Sequence, residues 1–307
     1  MLEEKIIIGE GTEFPLNGIL ALPDNPEGAL SAVLLVHGSG PQDMDEKIGV
    51  LTPFKDIAQA LVEKGIAVLR YDKRTKIYGK QMMKTPGDIT VESETIEDAL
   101  LATKLLRNDA RIGKVFIIGH SMGGMLAPRI DAEGGDFDGI IIAAGSPREL
   151  REIMLDQFSD ALGNYKGLVK KIANKQITGI TAKFAAIDAM TDEQAKEAKA
   201  FGSTRAYYFK EMEAHPASSY LQNIGKPVFI FQGEADFQVY PDKDFEGYQQ
   251  LLASNPLVTF KLYPDLNHVF THSHETRTMK DYKVPGKVDP QVTDDIAQWV
   301  RSQEETS

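Results

Sequence analysis

The chain contains no cysteine among its 307 residues. Disulfide bonds, thiolate metal sites and cysteine nucleophiles are therefore excluded. Long apolar runs are also missing: no stretch approaches the roughly 20 residues that cross a membrane, and we expect no membrane partner. Positive charge is scarce as well, since 34 Lys and Arg face 45 Asp and Glu, a formal net charge of −11. Such a chain repels polyanions, so we expect no nucleic-acid partner.

What the chain does contain is typical of a large soluble globular protein. Hydrophobic residues make up 42% and charged residues 26% of it, enough for one large core and an inserted subdomain. The first residues, Met1–Lys5, have no basic region that leads into an apolar run. Because such a region defines a secretory signal, we expect a cytoplasmic location. A monomer and a homodimer are both compatible with this composition.

Short apolar segments alternate with helical patterns along most of the chain. We predict strands at Lys5–Gly9, Leu16–Leu22, Ala32–Val36, Ile66–Tyr71, Val115–Ile118, Gly139–Ala144, Pro227–Phe231 and Leu257–Tyr263. We predict helices at Phe54–Lys64, Thr95–Arg107, Met122–Ile130 and Pro290–Arg301. Continuous apolar strands that alternate with helices indicate an α/β protein, with a mainly parallel central sheet flanked by helices on both faces.

The alternation stops between about Pro147 and Asn223. This stretch is rich in Lys, Ala, Gln and Glu and has no buried-strand run, so it reads as several helices. A structureless loop of that length is uncommon in a compact protein. We therefore predict an inserted helical cap at 147–223, with the core formed by 1–146 and 224–307.

Gly119-His120-Ser121-Met122-Gly123 fits the G-x-S-x-G pattern of a nucleophile elbow. It stands between a predicted strand and a predicted helix, which is the context that the pattern requires. So tight a turn lifts the Ser121 hydroxyl clear of the sheet, and a Cβ at either glycine would strike the neighbouring strand or helix. Ser121 is the predicted nucleophile, and an ordinary turn that happens to hold a serine is the alternative.

A nucleophilic serine needs a carboxylate behind its base, and in this arrangement the acid follows the serine in the chain. The predicted strand that ends at Phe231 is followed by Gln-Gly-Glu-Ala-Asp, and Asp236 is the acid candidate. The glycine in that segment lets the loop turn back over the sheet edge. Glu234 and Asp242 are nearby rivals, and a solvated acidic loop is the alternative for the whole segment.

The base candidate is His268, which follows the strand Leu257–Tyr263. His272 and His274 lie close behind it in a polar stretch, where we expect them to face solvent. Two histidines at that spacing could bind a metal weakly, but no ligand at a recognised spacing completes the site, so we expect no metal. His215 is expected to be a surface residue.

His37-Gly38-Ser39-Gly40 follows a core strand at the place where a serine elbow needs an oxyanion-binding loop. We expect the Ser39 amide, or else that of Gly40, to donate to the oxyanion, with the Met122 amide as the second donor. Tentative substrate contacts are Gly38, Gly40, His120, Tyr207 and Tyr208. The i, i+4 spacing of Tyr208 and Met212 is equally typical of a cap helix packed onto the core.

Two charged groups stand near this loop. The acidic group either rims the mouth of the site or forms a solvated loop. For the second group we expect ion pairs that pin the oxyanion loop, and substrate binding is the alternative. The acidic group is Asp43, Asp45 and Glu46; the second group is Arg70, Asp72, Lys73 and Arg74.

The segments His37–Pro41 and Gly119–Gly123, with Asp236 and His268, resemble the α/β-hydrolase family. The resemblance runs from about Ala32 to Trp299 and is nearest to bacterial serine carboxylesterases with an HGSGP loop and a GHSMGG elbow. It implies the α/β-hydrolase fold and hydrolysis of small or medium carboxylic esters through an acyl-serine intermediate, with no cofactor. Alternatives are a serine peptidase, a feruloyl or acetyl esterase on sugar esters, and a noncatalytic ligand-binding protein of this fold.

Overall fold

The computed structural model describes residues 1–24, 28–84, 89–163, 168–274 and 277–304, of which 161–163 and 168–174 are described by their backbone only. One sheet runs through the whole chain. Its strands are β1 (Leu2–Ile8), β2 (Leu16–Leu22), β3 (Leu30–Val36), β4 (Ala67–Tyr71), β5 (Ile112–His120), β6 (Gly139–Ala143), β7 (Val228–Gly233) and β8 (Val258–Tyr263). Every predicted strand overlaps one of them.

The strands lie in the order β1-β2-β4-β3-β5-β6-β7-β8. β1 with β2 and β2 with β4 pair antiparallel, and the other neighbours pair parallel. The predicted mainly parallel sheet is therefore confirmed. Parallel strands carry their carboxyl ends to one edge, so the loops after β3, β5, β7 and β8 open on the same side of the molecule.

Helices cover both faces of the sheet. They are α1 (Pro53–Glu63), α2 (Arg74–Met82), α3 (Glu97–Asn108), α4 (Met122–Ile130), α5 (Leu150–Gly163), α6 (Leu168–Asp188), α7 (Asp192–Glu197), α8 (Ala206–Ala214), α9 (Ala217–Leu221), α10 (Glu246–Leu251) and α11 (Pro290–Glu304). The four predicted helices correspond to α1, α3, α4 and α11. None of the described helices is long and apolar enough to cross a bilayer.

Strand β3 shows how the core forms. All seven of its residues are buried, and successive side chains point to opposite faces. Leu34 and Val36 join the cluster that α3 and α4 cover, whereas Val33 and Leu35 join the cluster that α1 and α11 cover. A strand buried on both faces has no polar alternation, which explains the continuous apolar run in the sequence.

The chain leaves the sheet after β6 and returns at β7. Between them the described residues form helices α5 to α9 and no named strand, as the composition of this stretch predicts. The division into a cap at 147–223 and a core stays a prediction. Helix α8 lies against the core through Glu211, which accepts hydrogen bonds from the amides of Val91 and Glu92 at 2.8 and 3.0 Å.

Candidate active site

Ser121 stands in the turn that joins β5 to α4, with φ 54° and ψ −118°. This region of φ and ψ is strained for a residue with a side chain. The glycines on either side permit the turn: a Cβ on Gly119 would lie 2.1 Å from the Gly123 carbonyl oxygen, and one on Gly123 would lie 2.3 Å from the Val36 carbonyl oxygen. The predicted steric reason for both glycines is confirmed.

The loop after β3 lies beside this turn because β3 and β5 pair in parallel, Val36 opposite Gly119. A Cβ on Gly38 would lie 3.2 Å from the Ser121 Cβ. Met122 begins α4, so its amide has no acceptor within the helix. In the described part of the chain, neither the Met122 amide nor the Ser39 amide has a backbone acceptor outside the regular elements.

His268 and Asp236 form a buried pair behind the elbow. His268 Nδ1 lies 2.8 Å from Asp236 Oδ2, and the two side chains are 4% and 0% exposed. Asp236 Oδ1 also accepts the amides of Gln238 and Val239 at 2.8 and 3.1 Å, which fixes the carboxylate. A carboxylate on Nδ1 leaves Nε2 of the ring as the basic nitrogen, the tautomer that general-base catalysis needs.

Close backbone approach brings the loops of this pair together. A Cβ on Gly233 would lie 2.1 Å from the Leu266 carbonyl oxygen, and Ala235 N donates to that oxygen at 2.9 Å. Gly233 is therefore required for contact between the two loops rather than for a turn. The buried Asn267 side chain accepts the amides of Val269 and Thr271 at 3.1 and 3.2 Å and so shapes the loop around His268.

His120 connects the elbow to the base loop. Its Nε2 donates to the His268 carbonyl oxygen at 2.9 Å, and the two rings lie 4.8 Å apart. Among the hydrogen bonds of the described residues, none joins Ser121 Oγ to the His268 ring. Such bonds are often long before substrate binds and tighten in the reacting complex.

The other acid and histidine candidates do not belong to the buried Asp236–His268 pair. Glu234 and Asp242 are exposed. His272 is exposed and pairs with Asp289 at 3.0 Å, and His274 is exposed. The half-buried His215 lies 2.6 Å from the Tyr220 hydroxyl. No three His, Asp or Glu side chains of the described residues are grouped to hold a metal ion.

Glu46 is the functional residue that sequence reasoning missed. It is 1% exposed, its Oε1 accepts the Gly38 amide at 2.7 Å, and its Oε2 lies 2.9 Å from His120 Nδ1. Burial opposes a charge on His120, but the adjacent Glu46 carboxylate outweighs it and raises the pKa of the ring. Both readings of Glu46, at the rim or in a solvated loop, were wrong, because the side chain turns inward. Asp43 and Asp45 are half-buried.

Three residues of the second charged group contact the segment after β3, one of them by an ion pair and two by hydrogen bonds with the backbone. Lys73 Nζ donates to the Gly38 carbonyl oxygen at 2.9 Å, Asp72 accepts the Met44 amide at 2.9 Å, and Arg70 Nε lies 3.0 Å from Asp45. Arg74 is the exception. It points away from the loop and pairs with Asp98 and Glu97 of α3.

A cavity of about 470 Å³ opens above Ser121. Ser39, Gly40 and Met122 line it beside the serine, and they include the two residues whose amides are the expected oxyanion donors. Apolar side chains from distant parts of the sequence form its wall: Met83, Ile89, Met125, Leu150, Ile153, Met154, Phe209 and Val239.

Of the tentative substrate contacts, Gly40 and Tyr208 line this cavity, whereas Gly38, His120 and Tyr207 are not among its lining residues. His120 is 4% exposed and lies behind the elbow, with both ring nitrogens facing protein groups. Tyr207 faces Lys196, whose Nζ lies 4.7 Å from the ring centroid. These positions do not support substrate contact by those three residues.

Glu94 supplies the one charged side chain among the described residues that line the cavity. Its oxygens accept the hydroxyls of Thr75 and Tyr208 at 2.7 and 2.8 Å, and Lys73 Nζ lies 3.6 Å away. Its charge is therefore balanced, and both of its oxygens have partners in the protein.

Known proteins with similar sequences indicate the family of this chain. The family model described as Serine aminopeptidase, S33 (Hydrolase_4) matches residues 29–275. The chain is 37% identical over 298 residues to a protein named Esterase EstD from Thermotoga maritima, a match that covers 97% of this chain and 67% of that one.

Solved structures with the same fold include an esterase and a peptidase. Est1E from Butyrivibrio proteoclasticus superposes with a TM-score of 0.62 at 18% identity and covers 98% of this chain and 99% of its own. Proline iminopeptidase from Mycobacterium smegmatis gives 0.60 at 13% identity, with 98% of each chain covered. At such identities the likeness shows the fold alone. The family match and the 37% identity to Esterase EstD go further: the chain belongs to the serine aminopeptidase S33 family, and the resemblance of its sequence to α/β-hydrolases is confirmed.

Proposed function

We propose that this chain is a serine carboxylesterase in which Ser121 is the nucleophile, His268 the base and Asp236 the acid. The observation that carries the proposal is that Ser121, together with Ser39 and Met122, whose amides are the expected oxyanion donors, lines one largely apolar cavity. The buried His268–Asp236 pair lies behind them. The relative named Esterase EstD supports the same chemistry.

The mechanism follows from this placement. His268 takes the Ser121 proton as the hydroxyl attacks the ester carbonyl, and Asp236 stabilises the imidazolium that forms. The Ser39 and Met122 amides bind the developing oxyanion, and the positive end of the α4 dipole adds to their field. His268 then protonates the departing alcohol and activates the water that hydrolyses the acyl-serine. No step requires a cofactor.

The cavity indicates the kind of ester. Its volume suits a small or medium ligand, and its wall is mostly apolar. The charge on Glu94 is already balanced by Lys73. An uncharged ester with an apolar acyl group fits this environment, whereas a charged acyl group would lose its hydration without gaining a partner. We expect esters of uncharged acyl groups to be the preferred substrates.

The same geometry disfavours an aminopeptidase. A free α-ammonium group is held best by a carboxylate whose charge is not already paired. Glu94 is the carboxylate among the described lining residues, and Lys73, Thr75 and Tyr208 are already its partners.

A cytoplasmic location and the absence of nucleic-acid partners remain predictions from the sequence.

The test is hydrolysis of p-nitrophenyl butyrate. Ser121→Ala and His268→Ala should each lower kcat by about 10⁴-fold or more, because the members of such a unit act together. His272→Ala is the matched control, since that exposed ring pairs only with Asp289 and should leave kcat within about twofold.

An aminoacyl p-nitroanilide, assayed in parallel, separates esterase from peptidase. We expect the ester to be the better substrate by kcat/KM by about 100-fold or more, since the one carboxylate among the described lining residues is already paired with Lys73. Preference for the anilide would replace the esterase assignment with a peptidase. Full ester hydrolysis by Ser121→Ala would refute the assignment of the nucleophile.

A further inference from the structure

We propose that Lys73 is a positioning residue for the oxyanion hole: its ammonium fixes the orientation of the Gly38–Ser39 peptide group, whose N–H is one of the two oxyanion donors. This inference rests on the esterase function proposed above and adds to it a residue outside the triad and the donor pair. Lys73 follows β4 and lies next to the loop after β3, since β3 and β4 are neighbours in the sheet.

The first step concerns a single peptide plane. Lys73 Nζ donates to the Gly38 carbonyl oxygen at 2.9 Å. In a trans peptide the carbonyl of one residue and the N–H of the next point in opposite directions. An ammonium that holds the Gly38 C=O on one side therefore directs the Ser39 N–H to the other side, where Ser39 and Ser121 line the cavity.

The second step concerns the preceding plane. The Gly38 N–H donates to Glu46 Oε1 at 2.7 Å, and that carboxylate is 1% exposed. The Gly38 backbone is thus held at both ends, by a buried anion at its N–H and a buried cation at its C=O. A rotation of the Gly38–Ser39 plane would break the Lys73 bond and leave a buried ammonium without this acceptor.

The loop needs such anchors because its own sequence provides little rigidity. Gly38 and Gly40 are conformationally permissive, and Gly40 has a φ of 80°. Ser39 and Gly40 are exposed, so packing does not hold them. An oxyanion donor works only when its direction is fixed before the reaction, and here that direction is set by Lys73.

The placement of the charge points the same way. The Lys73 side chain is 2% exposed, and burial lowers the pKa of its ammonium, although Glu94 at 3.6 Å favours the charged form. Apolar residues of similar volume often stabilise a protein as much as a buried ion pair does, so stability alone does not explain a lysine at this position. In addition, a cation at the carbonyl oxygen polarises the peptide and strengthens its N–H as a donor.

The experiment replaces Lys73 in the full chain and follows p-nitrophenyl butyrate hydrolysis. Lys73→Met keeps the approximate length of the side chain and removes the donor. Lys73→Gln is a second variant, neutral but polar, for use if the methionine variant does not fold. We expect each to lower kcat by about 10- to 100-fold, a part of the loss seen when an oxyanion donor is removed, with KM changed by less than about threefold.

Lys226→Met is the matched control. Lys226 also donates to a backbone carbonyl, that of Phe137 at 2.9 Å, and pairs with an aspartate, Asp131 at 2.9 Å, but it is not among the residues that line the cavity. Its replacement removes the same kind of contact from another part of the molecule. We expect kcat to stay within about twofold of the wild-type value.

A second readout separates positioning from general damage. An alkyl trifluoromethyl ketone forms a tetrahedral adduct with the serine and places an oxyanion in the hole, as the transition state does. We expect Lys73→Met or Lys73→Gln to weaken its inhibition by the same factor that lowers kcat/KM. A merely structural role would not link the two quantities.

The outcomes are distinct. A wild-type chain that does not hydrolyse the ester, or a Ser121→Ala variant that does, refutes the proposed function itself. With those two controls as expected, a folded Lys73 variant with kcat within about threefold of wild type refutes only the positioning role. A loss of kcat with unchanged inhibition by the ketone refutes it as well.

Discussion

At the scale of single residues, the backbone of Ser121 carries the most information. Its φ of 54° and ψ of −118° lie outside the regions that side chains prefer, and the helix α4 and strand β5 on either side hold it there. Strain of this kind costs about 1–3 kcal/mol and persists where the surrounding structure imposes it. We therefore expect the backbone conformation of Ser121 to lower the stability of the fold while it positions the hydroxyl.

This strain predicts the effect of a glycine at position 121. Ser121→Gly should be more stable than Ser121→Ala by about 1 kcal/mol, because glycine accepts a positive φ while alanine keeps the strained Cβ. Both variants lack the nucleophile, so their difference reports on the backbone. Urea unfolding of the two variants measures it, and a glycine variant less stable than the alanine variant would contradict the strain argument.

The proposed catalytic residues were visible in the sequence, whereas Glu46 was not. Ser121, Asp236 and His268 each follow an apolar strand at a short distance, so the order of strands and loops is enough to select them. Glu46 is one of several acids in a polar loop. Its inward direction depends on Gly38, eight residues earlier, and on His120 at the end of β5. No local pattern distinguishes it from Asp43 and Asp45, which are half-buried.

At the scale of elements, one buried carboxylate connects helix α8 to the helical segment that precedes α3. Glu211 accepts the amides of Val91 and Glu92 and pairs with Arg129 at 3.2 Å. Those amides belong to the first turn of the helical segment that continues into α3, where such groups lack partners of their own. Because α8 also carries Tyr208 of the cavity, this anchor connects the stability of the helix to the site.

We predict that Glu211→Gln lowers the free energy of unfolding by about 2 kcal/mol, since each oxygen of Glu211 accepts one of the two amides and glutamine would put an NH₂ donor in place of one oxygen. Asp192→Asn is the matched control, because its exposed pair with Lys210 also involves α8 and should contribute less than about 1 kcal/mol. Urea unfolding measures both. Equal losses in the two variants would show that burial of the Glu211 contacts has no special weight.

The elements that sequence reasoning did not predict are short or polar. Helix α2 has charged residues and a glycine in its middle, and α10 has six residues, so neither shows a clear apolar period. Both lie in connections between strands, α2 between β4 and β5 and α10 between β7 and β8. The long apolar strands and the amphipathic helices were predictable because burial on the sheet imposes their patterns.

At the scale of the whole molecule, His37 makes stability depend on pH. Its ring is buried against Phe54 and Tyr71, and burial lowers its pKa to about 4, although the nearby Glu46 acts in the opposite direction. In the unfolded chain the pKa returns to about 6.5. Between these values the unfolded state binds more protons, so stability is lost as the pH falls from about 6.5 to about 4.

We predict that the stability difference between the wild type and His37→Gln is largest at pH 7 and narrows by about 2–3 kcal/mol by pH 4.5, because only the wild type must bury this titrating ring. Urea unfolding at pH 7.0, 5.5 and 4.5 gives the three differences. The carboxylates common to both proteins cancel in the comparison. A difference that stays constant with pH would mean that His37 is not buried in its neutral form.

The overall architecture could be predicted from the sequence to a greater extent than the pocket could. The apolar strands and their order along the chain predicted a mainly parallel sheet, and the family match bears out the α/β-hydrolase resemblance. The cavity wall could not be predicted, because it combines side chains as distant in sequence as Met83, Met154 and Phe209. Which of them meet depends on how α5 and α8 pack on the sheet.

The central claim is that Ser121 is the single nucleophile of an esterase. Incubation of the full chain with an alkyl fluorophosphonate, followed by intact-mass measurement and peptide mapping, tests it most directly, because such a reagent is attacked by an activated serine hydroxyl. We predict one adduct per chain, on Ser121, with ester hydrolysis lost in proportion to labelling. An inhibited enzyme labelled at another residue, or an active enzyme whose Ser121 stays unlabelled, would contradict it.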